Sequence, residues 1–506
     1  MGSDNDSVEF VSSPDLIRKQ THIHAVKDLA PWLIACWCWL CFGLSSSRAE
    51  PLSAGPLFHE FSLTLEPGQR FEALGPLFGQ ERSDGEYRLT LAPLFSYQRD
   101  EIADSKEFDF AYPLVTYDRF GAEYRFQILQ LFSFAGGQNQ EEDIQNRFTL
   151  FPVYFQQRSS DPERNYTAFL PFYGSIRNRL FRDEIHFVML PVYLQTRKRD
   201  VVTDNYLLPF FHLRKGTALE GWQFWPFFGR EEKGITSKTN SLDELEIIPG
   251  HKKLFVLWPF FFRNELGLGT ENPKKVDVLL PFYALERSPL RDSSTYVGPL
   301  LTLTDDREKK YREFDFVGPF VVFARGEGKT ANRIWPFFSD VHNQTLASQF
   351  YLWPLYKYNA INSPPLKRER TRIAFFLYSD LTEKNLDTGA ALRRTDLWPL
   401  FTARRDRSGN ERLQILAVLE PLFPNNKSME RIYSPLWSIW RSEKNGKTGA
   451  TSLSFLWNLY RCDTSPGTKK CSLLFGLFQY QSGPEGRYVR LFYIPVSKKP
   501  SARLPS

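Results

Sequence analysis

From Gly55 onward the chain alternates short apolar runs with short polar ones. A brief apolar approach, a proline, two apolar or aromatic residues and a polar turn recur, as in Phe151-Pro152-Val153-Tyr154, Leu170-Pro171-Phe172-Tyr173 and Leu190-Pro191-Val192-Tyr193. Leu208-Pro209-Phe210-Phe211 and Trp225-Pro226-Phe227-Phe228 continue the series, and the five prolines stand 19, 20, 18 and 17 residues apart. A second series runs through Pro259, Pro281, Pro299, Pro319, Pro336 and Pro354, and Pro399 marks a later copy. Four copies lack the proline: Ile128–Phe132, Ile373–Leu377, Phe455–Leu459 and Leu473–Leu477. The apolar parts are rich in Phe, Tyr, Val, Leu and Trp and are bounded by Gly, Asp, Asn, Ser and Arg, so each unit reads as one strand plus one turn. Turns this short make successive strands antiparallel neighbours.

About 23 such units fill the chain after residue 49. The expected fold is therefore all-β, an antiparallel meander of about 22–24 strands. A sheet of that size does not stay flat and open, so it closes into a large β-barrel or, as the alternative, forms a β-propeller or a solenoid-like soluble repeat. The domain reading is a single β-repeat domain over 50–497, with a polar, uneven segment at 231–253 read as a long loop and 498–506 as a C-terminal tail.

Charge-free stretches favour the barrel. Phe148–Gln157 gives 10 residues, Ile185–Thr196 gives 12, and Leu254–Phe262 and Ile432–Trp440 give 9 each, against the 9–11 or so that a tilted strand needs to cross a bilayer. Two features favour the soluble alternative. Phe255–Phe262 is apolar on both faces of a strand, and proline in mid-strand leaves a facing carbonyl unpaired, which is costly in lipid. Pro152, Pro171, Pro191, Pro209, Pro226, Pro259, Pro281, Pro336, Pro354 and Pro399 are accordingly read as structural marks of the repeat. The five Trp-Pro pairs, Trp225-Pro226, Trp258-Pro259, Trp335-Pro336, Trp353-Pro354 and Trp398-Pro399, are read as core packing, since one position repeated in many units is an architectural requirement.

Residues 1–49 read as a signal peptide. Arg18, Lys19 and Lys27 precede an uncharged stretch from Leu29 to Ser47, and Ser47-Arg48-Ala49 places cleavage after Ala49. Two alternatives stay open: an uncleaved single-span anchor, and a lipoprotein-type box at Leu33-Ile34-Ala35-Cys36. Cys36, Cys38 and Cys41 lie inside this segment, which leaves Cys462 and Cys471 flanking one polar Pro-Gly turn. In an oxidising compartment that pair is a candidate disulfide; the other reading is two unrelated thiols.

Composition changes little in this picture. The 506 residues include 45 Phe, 22 Tyr and 12 Trp, an aromatic share of 16% that suits a pleated sheet. The net charge of +6 comes from interspersed basic and acidic residues, so no clustered face for nucleic acid is predicted. His59, His186, His212, His251 and His342 show no metal-ligand spacing. Gly326-Glu327-Gly328-Lys329-Thr330 and Gly446-Lys447-Thr448 resemble the end of a phosphate-binding loop but lack its earlier glycine, and both are read as hairpin turns. Acids that recur inside strands, as Asp109, Asp277 and Asp315, read as wall residues facing water or pairing with Arg across the sheet.

The succession of Leu-Pro-Phe-Tyr and Trp-Pro-Leu-Phe units resembles a group of uncharacterised exported bacterial proteins over nearly the whole chain after residue 49. That resemblance implies a bacterial envelope protein and no activity, ligand or functional residue. The expectation is a non-enzymatic protein without a cofactor, exported to the outer membrane, in contact with its lipid and acting in passage or assembly of envelope components. The alternative is a soluble periplasmic or extracellular scaffold or binding module. Neither names a small-molecule or envelope ligand.

Overall fold

The computed structural model describes residues 57–138, 144–239, 245–424, 426–484 and 486–496. The segment read as a signal peptide, with its alternatives, and the C-terminal tail lie outside them. The described chain is an all-β antiparallel meander: 43 strands form one sheet, each hydrogen-bonded to its neighbours in sequence, from Phe58–Ser62 pairing with Gly68–Ala73 to Gly486–Leu491 pairing with Ile494–Pro495. The ladder is continuous from strand to strand, whereas propeller blades are separate sheets.

The strand number is twice that expected, and the reason is the position of the prolines. They sit in turns between strands. Each unit of about nineteen residues is thus a hairpin with two turns, one polar and one built on the proline. Strand Arg182–Val188 runs to the turn Met189-Leu190-Pro191-Val192, the chain returns as Tyr193–Lys198, and the polar turn Arg199-Asp200 follows. Ten of the twelve repeat prolines named above follow a cis peptide bond, as do Pro93 and Pro113, the arrangement that places proline at the third position of a tight turn; Pro299 and Pro319, each after a glycine, do not. The copies without proline make the same reversal with left-handed residues, Leu129 and Gln130 (φ 50° and 58°) or Ala374 and Phe375 (φ 47° and 62°).

Two consequences follow. The charge-free stretches straddle a turn, so Phe148–Gln157 is the end of one strand, a turn and the start of the next. The strands themselves are mostly five to eight residues long. The objection from unpaired carbonyls also falls, because neighbouring proline turns bond to one another. The N–H of Leu190 donates to the Pro171 carbonyl, that of Leu208 to Pro191, that of Trp258 to Pro226 and that of Trp353 to Pro336, each at 2.7 Å. Segment 231–253 is no loop. Its ends belong to strands Phe228–Lys233 and Gly250–Val256, which pair directly, and between them Thr236–Thr239 pairs with Leu245–Ile248 as a small separate sheet.

Candidate functional site

Alternation along strands this regular gives the sheet two faces of opposite chemistry. One face carries Phe95, Tyr97, Phe108 and Phe110, then Tyr193, Tyr206 and Phe211, then Phe314, Phe316, Tyr351 and Tyr356, all in the positions nearest the proline turns. Their rings touch across strands: Phe134 and Phe148 lie 4.7 Å apart, Tyr193 and Tyr206 5.3 Å, and Tyr351 and Tyr356 5.8 Å. The turn residues beside the prolines extend this surface. Phe172, Phe227, Phe260 and Phe337 are exposed, with Phe172 showing 54% of its surface. The Trp-Pro tryptophans belong to the same row and are not a buried core. Trp335 and Trp353 stand 5.9 Å apart, flanked by Phe320 and Phe375, and both tryptophans are exposed.

The opposite face is polar and more deeply buried. Ser96 and Asp109 pair across strands at 1% and 3% exposure, and Thr116, Asn205, Thr304, Ser339 and Ser472 occupy equivalent buried positions. Apolar side chains gather on this face in two places, around Phe155, Tyr166, Ile176 and Phe187 and around Val322, Ala324 and Ala331. Elsewhere the buried face is polar and the exposed face aromatic, the reverse of a water-soluble sheet, which buries its apolar face.

The polar faces of the first strands and of the strands after residue 400 meet around a chamber of about 610 Å³. The contacts join residues more than 300 positions apart in the chain. Arg461 lies over the Phe61 ring at 3.4 Å, the Asn458 amide donates to Glu72, and the Asn445 amide donates to the Thr64 and Leu65 carbonyls at 3.1 and 3.2 Å. A helical insert, Lys427–Ile432 followed by Ser434–Trp437, closes one side. Asn426 caps its first turn by accepting from the Met429 N–H. Arg431 holds it in place through Glu107 at 2.7 Å and Asp109 at 3.3 Å, and the Tyr433 hydroxyl donates to the Tyr112 carbonyl at 2.8 Å. Before the insert, buried Arg394 pairs with Asp396 at 2.9 Å and donates to the Glu420 and Pro424 carbonyls.

Within the chamber the carboxylates are taken. Glu72 and Glu81 pair with Arg70 at 2.8 and 3.3 Å, Glu81 also with Arg88 at 2.8 Å, and Glu443 with Arg412 at 3.1 Å. Burial and the nearby Arg70 guanidinium weaken the hold of Arg441 on its proton. Burial above all, with Arg461 next, lowers the His59 imidazole to about 4, so that ring is neutral at neutral pH.

The other residues singled out from the sequence are dispersed. His186, His251 and His342 each lie beside a carboxylate, Glu184, Glu231 and Asp340. Both phosphate-loop look-alikes are hairpin turns, the second closed by Asn445 accepting from the Lys447 and Thr448 N–H groups. Asp109 and Asp277 pair with Arg431 and Arg263, while Asp315 faces the interior with one carboxylate oxygen unpartnered. Cys462 and Cys471 stand directly opposite one another on adjacent strands, bonded through their sulfurs. The chamber was not singled out from the sequence, though one signal for its wall exists: charges at alternate positions within one strand, Arg70 and Glu72 in Gly68–Ala73 and Arg441 and Glu443 in Trp440–Lys444. Compared with protein-family models and with curated proteins, the chain matches none.

Proposed function

We propose that this is a non-enzymatic protein of a bacterial envelope whose sheet embeds its proline edge in lipid and turns its polar face toward water. The observation that carries this reading is the inversion of the sheet, with aromatic side chains exposed beside the proline turns and polar ones buried opposite. The apolar band, from a turn proline such as Pro93 to the second outward position at Tyr97, is five residues deep, or ~13 Å at about 3.3 Å per residue. That is roughly half the ~30 Å of a hydrocarbon core. Strands of five to eight residues are also shorter than crossing requires. The band therefore suits entry into one leaflet rather than passage through both. Backbone in lipid must find its partners within the protein, and the bonds between successive proline turns supply them.

The outer membrane is the proposed site, and guiding hydrophilic envelope components along the polar face is the proposed role. Flotation with vesicles of phosphatidylethanolamine and phosphatidylglycerol tests the lipid contact. The protein is expected to float with the vesicles, and a variant with Phe172, Phe210, Phe227 and Phe260 all replaced by Ser is expected to stay at the bottom of the gradient. Recovery of the unaltered protein as a detergent-free soluble species that ignores vesicles would support the soluble scaffold instead.

A further inference from the structure

The chamber holds more cationic than anionic side chains: Arg70, Arg88, Arg404, Arg412, Lys427, Arg431, Arg441 and Arg461 against five glutamates and Asp406. The acids are already engaged. Beyond the pairs above, Glu66 and Glu430 lie 3.8 and 3.9 Å from Arg88 and Arg404, and the Asp406 carboxylate accepts from the N–H groups of Ser408 and Asn410. Among the described residues no ion pair or hydrogen bond engages the Arg441 side chain. Its neighbours across the ladder are Gln414 and Ser454, both neutral, and the guanidinium borders both the chamber and the smaller cavity beside Glu420.

The wall also holds two polar atoms closed off from the chamber. The Ser438 hydroxyl and the Arg431 Nε, both on the chamber wall, are buried polar atoms without a partner. Buried donors are ordinarily satisfied, and an unpaired charge out of bulk water is costly. Arg441 therefore lines the cavity with its own capacity unspent, whereas the Arg431 guanidinium is committed to Glu107 and Asp109. A planar guanidinium fork matches the oxygens of phosphate and carboxylate groups.

We propose that the chamber is a binding site for a small phosphate-bearing solute, with Arg441 as its principal anion contact and the excess of cationic over anionic side chains around it as the attracting field. The volume admits a solute larger than inorganic phosphate, such as a sugar phosphate. The assignment stands independently of the lipid reading, because it rests on the interior face alone.

The test uses the full chain in detergent and follows thermal unfolding against added inorganic phosphate, with sodium chloride at matched ionic strength as control. Phosphate is expected to raise the unfolding temperature where chloride does not. Arg441→Gln is expected to weaken the phosphate response at least tenfold and Arg441→Lys to retain part of it, while Lys447→Gln, on an exposed polar turn, leaves it unchanged. Without phosphate, Arg441→Gln is expected to be as stable as the unaltered protein or more so, since no partner is lost. Glucose 6-phosphate and citrate, run in parallel, separate a phosphate preference from a general response to anions. Equal stabilisation by phosphate and chloride, by phosphate and citrate, or an unaltered phosphate response in Arg441→Gln, overturns the assignment. A phosphate-free Arg441→Gln protein that unfolds well below the unaltered one shows a structural arginine and overturns it too.

Discussion

Strands Arg182–Val188 and Tyr193–Lys198 share a ladder and differ completely at their two ends. At one end Met189, Pro191 and Val192 are exposed while Leu190 packs inward; at the other the chain turns through Arg199 and Asp200. Nearly every hairpin repeats this polarity, so the sheet has an apolar edge and a charged edge. The polar turns carry Asp, Asn, Gly and Lys, which suit αL backbone and local side-chain bonds in water. The proline turns carry Phe, Leu and Trp, and satisfy their backbone groups by bonding to the next turn along the edge. The polar turns bond along their own edge as well, Glu101 to Gly85 at 2.7 Å and Gly121 to Asp104 at 2.8 Å, so what separates the two edges is their side chains.

The sharpest way to break the comparison is to place one charge at each edge. Phe260→Asp, on the apolar edge, is expected to reduce the fraction of protein floating with vesicles severalfold, since a charge on a lipid face is costly, an acid somewhat less so than the roughly 2–4 kcal/mol of a basic residue at mid-bilayer. Phe181→Asp, on the opposite edge at 95% exposure, is expected to leave flotation unchanged. Equal losses would remove the distinction between the edges.

The polar face offers the next largest effect. Arg394→Met leaves Asp396 buried without its partner and frees the carbonyls of Glu420 and Pro424, which is expected to cost about 3–5 kcal/mol in denaturant unfolding. A cost below about 1 kcal/mol would mean that the insert is not held through this arginine.

Stability should also depend on pH through His59. Its folded-state value of about 4 lies below the roughly 6.5 of an unfolded histidine, so the unfolded chain takes up the proton first. Stability contributed by the neutral ring is present above about pH 6.5 and is lost as the pH falls toward 4, by about 3 kcal/mol. His59→Gln is expected to flatten the unfolding midpoint across that window, and an unchanged slope would contradict the assignment to His59. The smallest effect is expected at Gly85, where φ is 76° and an added Cβ would meet Ile102; Gly85→Ala should cost about 1 kcal/mol.

The period of the repeat, the antiparallel order and the all-β class were legible because they depend on spacing and local composition. The strand number was not. Leu190-Pro191-Val192 has the composition of a strand, and only its backbone, which places Pro191 in a turn, divides one apolar stretch between two strands. Reading the Trp-Pro tryptophans as core failed for a related reason. Repetition marked them as architectural, but architecture here includes an exposed edge. The chamber was least legible, because Phe61 meets Arg461 and Glu72 meets Asn458 only through the bending of a long sheet, which no local pattern encodes. Asp277 pairs with Arg263 across the sheet, as alternation along the strands led one to expect, whereas Asp109 is buried against Arg431 of the helical insert and Asp315 keeps one oxygen unpartnered.

The central claim is that the proline edge lies in lipid while the charged edge lies in water. Nitroxide labels at positions 260 and 181, in a protein with Cys36, Cys38 and Cys41 replaced by Ser and reconstituted in bilayers, test it directly by electron paramagnetic resonance power saturation. The account predicts that the label at 260 is relaxed by dissolved oxygen and shielded from a water-soluble nickel complex, with the reverse at 181. Equal access of the nickel complex to both labels would contradict it.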